Sequence, residues 1–163
     1  MSEQPLRAVD IRRAQPEEVA AAISVWAAAN RQPATGGHAD RLRAWSNEDG
    51  ARLFVAVDED RVVGTALSLP GREDGGAGDL VPGLRHLTGV AVLPEHQGRG
   101  LGRRLLTATI ADARSDGSTR VTLWTDAQNR KAIGLFESLG FHTTERTLDE
   151  QGSEMIRLEL LLR

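Results

Sequence analysis

The chain has 163 residues, carries Lys+Arg 20 against Asp+Glu 23 for a formal net charge of -3, and contains neither cysteine nor tyrosine. That length suits one domain with a substantial core, so a single domain over 1–163 is expected. The slightly acidic balance argues against a general nucleic-acid surface, and the missing cysteine excludes disulfides, thiolate metal sites and a cysteine acyl-enzyme intermediate.

Residues Leu6 to Arg13 alternate and predict an edge strand. Pro16-Glu17-Glu18 supplies a first-turn proline with acidic neighbours, and Val19, Ile23 and Trp26 share the face of the helix that follows. Pro33-Ala34-Thr35-Gly36-Gly37 breaks the chain before a second helix, roughly His38 to Asn47. Arg52 to Val57 and Arg61 to Leu69 predict a hairpin around Asp58-Glu59-Asp60. Pro70 to Gly83 reads as an exposed glycine-rich loop. A strand follows over His86 to Leu93, then a helix from about Gly100 to Arg114, ~22 Å long at 1.5 Å per residue. After Asp116-Gly117 come a strand from Thr119 to Thr125, a helix from Asn129 to Leu139 capped by Gly140, a strand beginning at Phe141, and a last strand over Met155 to Leu162. A helical crossover between the strands at His86–Leu93 and Thr119–Thr125 fits a right-handed parallel βαβ unit.

The informative segment is Leu93-Pro94-Glu95-His96-Gln97-Gly98-Arg99-Gly100-Leu101-Gly102-Arg103-Arg104. A strand empties into a glycine-punctuated turn that opens a helix, and the first helical turn leaves backbone N–H groups without intrahelical partners. Glycine tolerates positive φ and permits close backbone approach, while the helix dipole adds ~0.3 to 1 kcal/mol per nearby negative charge. The spacing therefore describes an anion cradle. A dinucleotide fingerprint needs a glycine at Arg103, and an NTPase phosphate loop ends in Gly-Lys-Ser/Thr where this chain has Gly102-Arg103-Arg104. Both nucleotide readings weaken.

What remains, Gln-x-x-Gly-x-Gly after a strand, resembles the coenzyme A pyrophosphate loop of the GNAT superfamily of N-acetyltransferases. A second segment carries the same resemblance: Asn129, Ala132 and Phe136 fall at helical offsets of three and four and are followed by Gly140-Phe141. Family members typically show Asn, a small residue and Tyr there; here Phe136 stands at the Tyr position. The resemblance implies an α/β (α+β) fold: a mixed sheet of six to seven strands, antiparallel in its N-terminal part, a central parallel βαβ unit whose strands splay apart, and about four helices. It also implies acetyl-CoA as co-substrate, with pantetheine in the wedge and no metal. Carried over by position, the backbone at Val90 and Val92 pairs with the pantetheine arm and acetyl carbonyl. Backbone N–H groups from Gln97 through Gly98, Arg99, Gly100, Leu101 and Gly102 to Arg103 hold the pyrophosphate. Asn129 bonds the pantetheine, Phe136 borders it, and Arg99, Arg103, Arg130 or Lys131 reach the 3'-phosphate.

The expected activity is direct acetyl transfer to a primary amine of a small molecule or an amino-terminal acceptor. An alkylamine of pKa near ~10.4 faces roughly 4 kcal/mol of deprotonation at pH 7.5, whereas a thiol near ~8.5 needs only about 1.4 kcal/mol of help as it leaves. His86, eleven residues before Gln97 where several family members carry a carboxylate base, is the candidate base, with Thr88 ordering a water on the same strand face. With Phe136 in place of the tyrosine acid and no tyrosine in the chain, Ser138, a water or bulk solvent must protonate the thiolate. Glu95 and His96 are expected outside the cleft, and His38 and His142 lack any constellation. The resemblance places the acceptor near Trp26, Asn30, Arg31, Trp45, Trp124 and Asp126. A second function class, a non-catalytic acyl-CoA-binding sensor or interaction domain, is motivated by Phe136, and a toxin that acetylates charged transfer RNA is disfavoured by the charge balance. Expected partners are a small-molecule amine and a second copy of the chain as homodimer, without nucleic acid or membrane. With no apolar run near ~18 residues and no signal-peptide pattern at Met1-Ser2-Glu3-Gln4-Pro5, the expected location is cytoplasmic.

Overall fold

The computed structural model describes residues 8–73 and 77–163. Its elements are β1 (Asp10–Arg13), α1 (Val19–Asn30), α2 (Gly37–Ser46), β2 (Arg52–Asp58), β3 (Arg61–Arg72), β4 (Leu80–Val92), α3 (Leu101–Ser115), β5 (Arg120–Asp126), α4 (Arg130–Ser138), β6 (His142–Leu148) and β7 (Glu154–Leu161). Single 3-10 turns cover Pro16–Glu18 and Pro94–His96. The strands form a seven-stranded mixed sheet in the order β1-β2-β3-β4-β5-β7-β6. Of the first predicted strand, Asp10–Arg13 pairs antiparallel with β2, while Leu6 and Arg7 lie outside the described residues.

The chain divides into two compact units, one from residues up to Leu67 with Gly89–Thr109 and one from Ser68–Thr88 with Ile110–Arg163. In the first, α1 buries Ala22, Ile23, Val25 and Trp26, α2 buries Leu42, and α3 buries Leu101, Leu105 and Leu106. Arg12 of β1 donates two hydrogen bonds to the Glu18 carboxylate, at 2.6 and 2.9 Å, which fixes the entry to α1. Glu18 Oε1 also accepts from the Gln15 N–H at 2.8 Å, and these bonds, the arginine's first, hold the Glu18 carboxyl below its usual pKa. The β2–β3 turn has φ 49 at Glu59 and φ 65 at Asp60. Positive φ at both central residues is the two-residue turn whose twist matches an antiparallel hairpin.

In the second unit β4 pairs parallel with β5 from Leu84↔Arg120 to Leu87↔Leu123, and β7 pairs antiparallel with both β5 and β6. Alternation then sorts the residues of these strands by face. Val121, Leu123, Leu158 and Leu160 are buried on one side. Thr122 and Trp124 point to the other, opposite Glu159 and Arg157 of β7.

The segment read as an exposed loop over Pro70 to Gly83 is shorter than expected, because β3 continues through Arg72 and β4 begins at Leu80. Gly71 is buried in β3, and a Cβ built there would overlap Leu84 Cγ. Its glycine is thus a packing requirement of two adjacent strands rather than a mark of flexibility. Gly71→Ala is expected to lower unfolding free energy by about 1 to 3 kcal/mol, the usual cost of overpacking. A urea midpoint equal to that of the parent chain would contradict this.

Candidate active site

The glycine turn lies in the first unit. β4 ends at Val92, the 3-10 turn over Pro94–His96 redirects the chain, and Gln97 is extended with φ -70 and ψ 157. Gly98 and Gly100 then take φ +79 and φ +78, and a Cβ at either would meet nothing within 4 Å. The space over the turn is open, and its backbone geometry belongs to glycine. Residues 97–100 are exposed, and α3 starts immediately after them at Leu101. The first helical backbone bond runs from Arg104 N to Gly100 O at 3.1 Å, so the N–H groups of Leu101 and Gly102 stand ahead of it. Such a turn offers donors and the positive end of a helix dipole to an anion.

One expected donor is already engaged. Gln97 gives its backbone N–H to Pro94 O at 3.3 Å and its side-chain Nε2 to Val92 O at 3.0 Å. Gln97 therefore anchors the loop to the end of β4. Val90 and Val92 are half-buried at the end of β4. Arg99, Arg103, Arg130 and Lys131 are all exposed. His96, expected outside the cleft, faces Asp58 with Nε2 3.3 Å from Oδ2, and its Nδ1 is buried without a hydrogen-bond partner. Glu95 reaches Arg61 at 3.4 Å.

A narrow crevice in the same unit, with room for about one water molecule, is lined by Ala22, Ile23 and Trp26 of α1, Leu42 and Ser46 of α2, Leu53, Thr65 and Leu67 of β2 and β3, and Gly89 of β4. Of the residues expected around the acceptor, Trp26 alone lines it. Asn30 instead donates from Nδ2 to Trp26 O at 2.8 Å, and Arg31 ends α1 in the left-handed region at φ 53. His38, which the sequence leaves without a constellation, lies between two tryptophans: its ring centroid is 4.9 Å from Trp26 and 5.7 Å from Trp45. Desolvation, with the Arg41 charge second, holds the His38 imidazole below its usual pKa.

In the second unit His86 Nδ1 and Thr122 Oγ1 are 2.9 Å apart, on register partners of β4 and β5. Burial, followed by the positive charge of Arg157, lowers the His86 pKa to about 4. The imidazole is therefore neutral at physiological pH. Thr122 is 1% exposed and escaped notice in the sequence, because only the strand register brings it to His86. Asn129 caps α4, its Oδ1 accepting from Ala132 N at 3.2 Å. Phe136, one helical turn further on the same face, is 5% exposed and meets Phe141 edge-to-face at 5.9 Å. The Ser138 hydroxyl donates to Leu135 O at 2.6 Å, a bond within its own helix. Asp126 accepts from Gln128 N at 2.7 Å and shapes the turn into α4, and Trp124 is half-buried. His142 lies exposed on β6. Among the described residues no group of His, Asp and Glu is arranged to hold a metal, and no helix is long and apolar enough to cross a membrane.

The chain is similar to several known acetyltransferases. The mycothiol acetyltransferase of Kocuria rhizophila is 40% identical over 100 residues, covering 61% of this chain and 32% of its own. Human N-acetyltransferase 8B is 30% identical over 123 residues, covering 73% of this chain and 51% of its own. The chain thus matches about a third to a half of the length of these curated relatives. The protein yncA of Salmonella typhimurium, solved with its cofactor acetyl-CoA, superposes with a TM-score of 0.76 at 26% identity over 96% of this chain and 95% of that one. The model of the acetyltransferase (GNAT) family matches residues 19–141, which include both the glycine turn and the Asn129 helix, and the chain belongs to that family.

Proposed function

We propose that this chain is an acetyl-CoA-dependent N-acetyltransferase that moves acetyl directly to a primary amine of a small molecule or an amino-terminal acceptor. The observation that carries the reading is the Gly98-Arg99-Gly100 turn, open above its backbone and delivering the N-terminus of α3. A neighbour of the same fold bound to acetyl-CoA supports it.

Bound acetyl-CoA supplies an activated thioester. An ammonium acceptor first sheds one proton; the neutral amine nitrogen then forms the new bond to the carbonyl carbon while the carbon–sulfur bond breaks, losing a second proton as the leaving thiolate gains one. Backbone donors from Gly98 to Arg103 hold the pyrophosphate, the backbone of Val90 and Val92 meets the pantetheine arm, Asn129 bonds it and Phe136 packs beside it. His86 takes the proton. When its Nδ1–H donates to Thr122 Oγ1, Nε2 carries the lone pair that receives it. The acceptor approaches from the side of α1 and α2, near Trp26. Phe136 has no proton to give and Ser138 is bonded to its own helix, so water protonates the thiolate, the less demanding of the two transfers. Without cysteine in the chain, no cysteine acyl-enzyme intervenes.

The buried phenylalanine pair favours one alternative, an acyl-CoA-binding sensor that retains the cradle without turnover. Calorimetry with acetyl-CoA, followed by thiol-release assays on amino acids, polyamines, aminoglycosides and protein N-termini, separates the two. The acetyltransferase is expected to bind the cofactor in the micromolar range and to release thiol only with an amine present. Binding without turnover on any amine favours the sensor, and no binding at high micromolar concentration sinks both.

A further inference from the structure

We infer that His96 is a positioning residue for the cofactor: through Asp58 at the end of β2 it sets where the glycine turn sits, and so where the turn's N–H groups meet the pyrophosphate; this rests on the acetyl-CoA reading above. Nε2 of His96 lies 3.3 Å from Asp58 Oδ2. Because a carboxylate only accepts, Nε2 carries the hydrogen and donates it. The two side chains are 12% and 22% exposed, so solvent screens the contact far less than it screens an ion pair on the open surface. The ring is committed to this one bond, since its buried Nδ1 has no hydrogen-bond partner.

The place of the bond gives it leverage over the turn. His96 stands two residues before Gly98, where the backbone enters positive φ, and a glycine-rich turn has too much conformational freedom to fix its own position. On the far side α3 holds it. On the near side the Gln97 contacts reach only Val92 and Pro94, within five residues, and shape the loop locally. Asp58 is 38 residues away in the chain and is itself held, because it ends β2 beside the tight turn at Glu59 and Asp60. Two further contacts join this hairpin to the exit of β4: Leu93 N donates to Val63 O at 2.8 Å, and Arg61 reaches Glu95 at 3.4 Å. The first precedes the 3-10 turn, and the second is an ion pair with both side chains more than half exposed, which contributes little. Of these ties to the hairpin, His96–Asp58 lies nearest the glycines.

The test measures acetyl-CoA affinity by calorimetry on the full chain. His96→Phe keeps a ring and removes the donor, and should weaken binding at least tenfold, about 1.4 kcal/mol, within the range of a hydrogen bond to a charged group. His96→Gln, which can still present an N–H to Asp58, should stay within threefold of the parent. From the other side, Asp58→Leu should match His96→Phe, and Asp58→Asn, whose carbonyl still accepts, should match His96→Gln. The double variant His96→Phe/Asp58→Leu should lose no more than either single change. Arg61→Ala should leave affinity within twofold. In competition with acetyl-CoA, 3'-phosphoadenosine 5'-diphosphate, which keeps the pyrophosphate and lacks pantetheine, should lose affinity by the same factor as acetyl-CoA. Should His96→Phe fail to fold, Asp58→Leu against Asp58→Asn decides the question. Unchanged affinity, losses that the conservative variants do not rescue, additive losses in the double variant, or a loss that the diphosphate does not share each overturns the inference and leaves the acetyltransferase standing. A parent chain that binds no acetyl-CoA overturns both.

Discussion

Gly100→Asp should weaken acetyl-CoA binding by at least a hundredfold in calorimetry while the protein remains folded. Two terms act together. The left-handed backbone at Gly100, φ +78, costs a non-glycine residue about 1 to 2 kcal/mol, and a carboxylate about 4 Å from a phosphate charge adds up to about 4 kcal/mol of repulsion at a partly exposed site. A Cβ at Gly100 meets no neighbour within 4 Å, so no clash at that atom contributes. Gly117→Asp is the matched control, because Gly117 has φ +87, equally open space and a place beyond the opposite end of α3. It should carry the strain and leave affinity unchanged. Equal loss in the two variants would show that strain alone is being measured, and unchanged affinity in both would remove the turn from cofactor binding.

His86→Ala should lower kcat by about tenfold to a hundredfold, the low end for a positioned base because an imidazole held near pKa 4 is a weak one, while Phe136→Tyr should raise it less than tenfold. The asymmetry follows from the roughly 4 kcal/mol needed to deprotonate an alkylamine against about 1.4 kcal/mol for protonating the thiolate. The pH profile carries a sharper sign. An ordinary histidine would place an inflection near 6.5, but burial and Arg157 bring His86 to about 4. The logarithm of kcat/KM should therefore climb through pH 6 to 8 with the acceptor's own deprotonation and show no histidine inflection there. Stability follows the same group. Between pH 4 and 6.5 the unfolded chain binds the proton that the folded chain rejects, so stability rises with pH across that window. The contribution is complete above pH 6.5 and is lost as pH falls toward 4, by roughly 1 to 3 kcal/mol. His86→Ala should flatten that part of the denaturation curve. Unchanged turnover in His86→Ala would remove the imidazole from the chemistry, and a hundredfold gain in Phe136→Tyr would reverse the order of the two burdens. Both variants must first bind acetyl-CoA normally.

The features legible in the sequence were those encoded within one or two helical turns. The glycine spacing from Gly98 to Gly102 and the offsets linking Asn129, Ala132 and Phe136 each specify a local geometry, and the cap and helix starts followed. Gly71 misled for the opposite reason. Glycine in a run with proline signals a loop by local preference, whereas here it answers to Leu84, thirteen residues away on the next strand. The His86–Thr122 contact spans 36 residues and exists only through parallel register. The His38 ring between Trp26 and Trp45 depends on how α2 lies against α1, which no period along the chain records. The lowered pKa of His86 belongs to that same class of information, since it measures surroundings rather than residue type.

The Gln97 side chain bears on how the cradle meets its ligand. By holding Val92 O at 3.0 Å while its own N–H holds Pro94 O, it ties the turn down before any anion arrives. A loop assembled only in the complex would lose backbone freedom at the moment of capture, at about 1 to 2 kcal/mol for each residue ordered. On the proposed function that ordering belongs to folding, so acetyl-CoA would fill a preorganised receptor, and its affinity would reflect the contacts themselves rather than contacts diminished by a disorder-to-order transition.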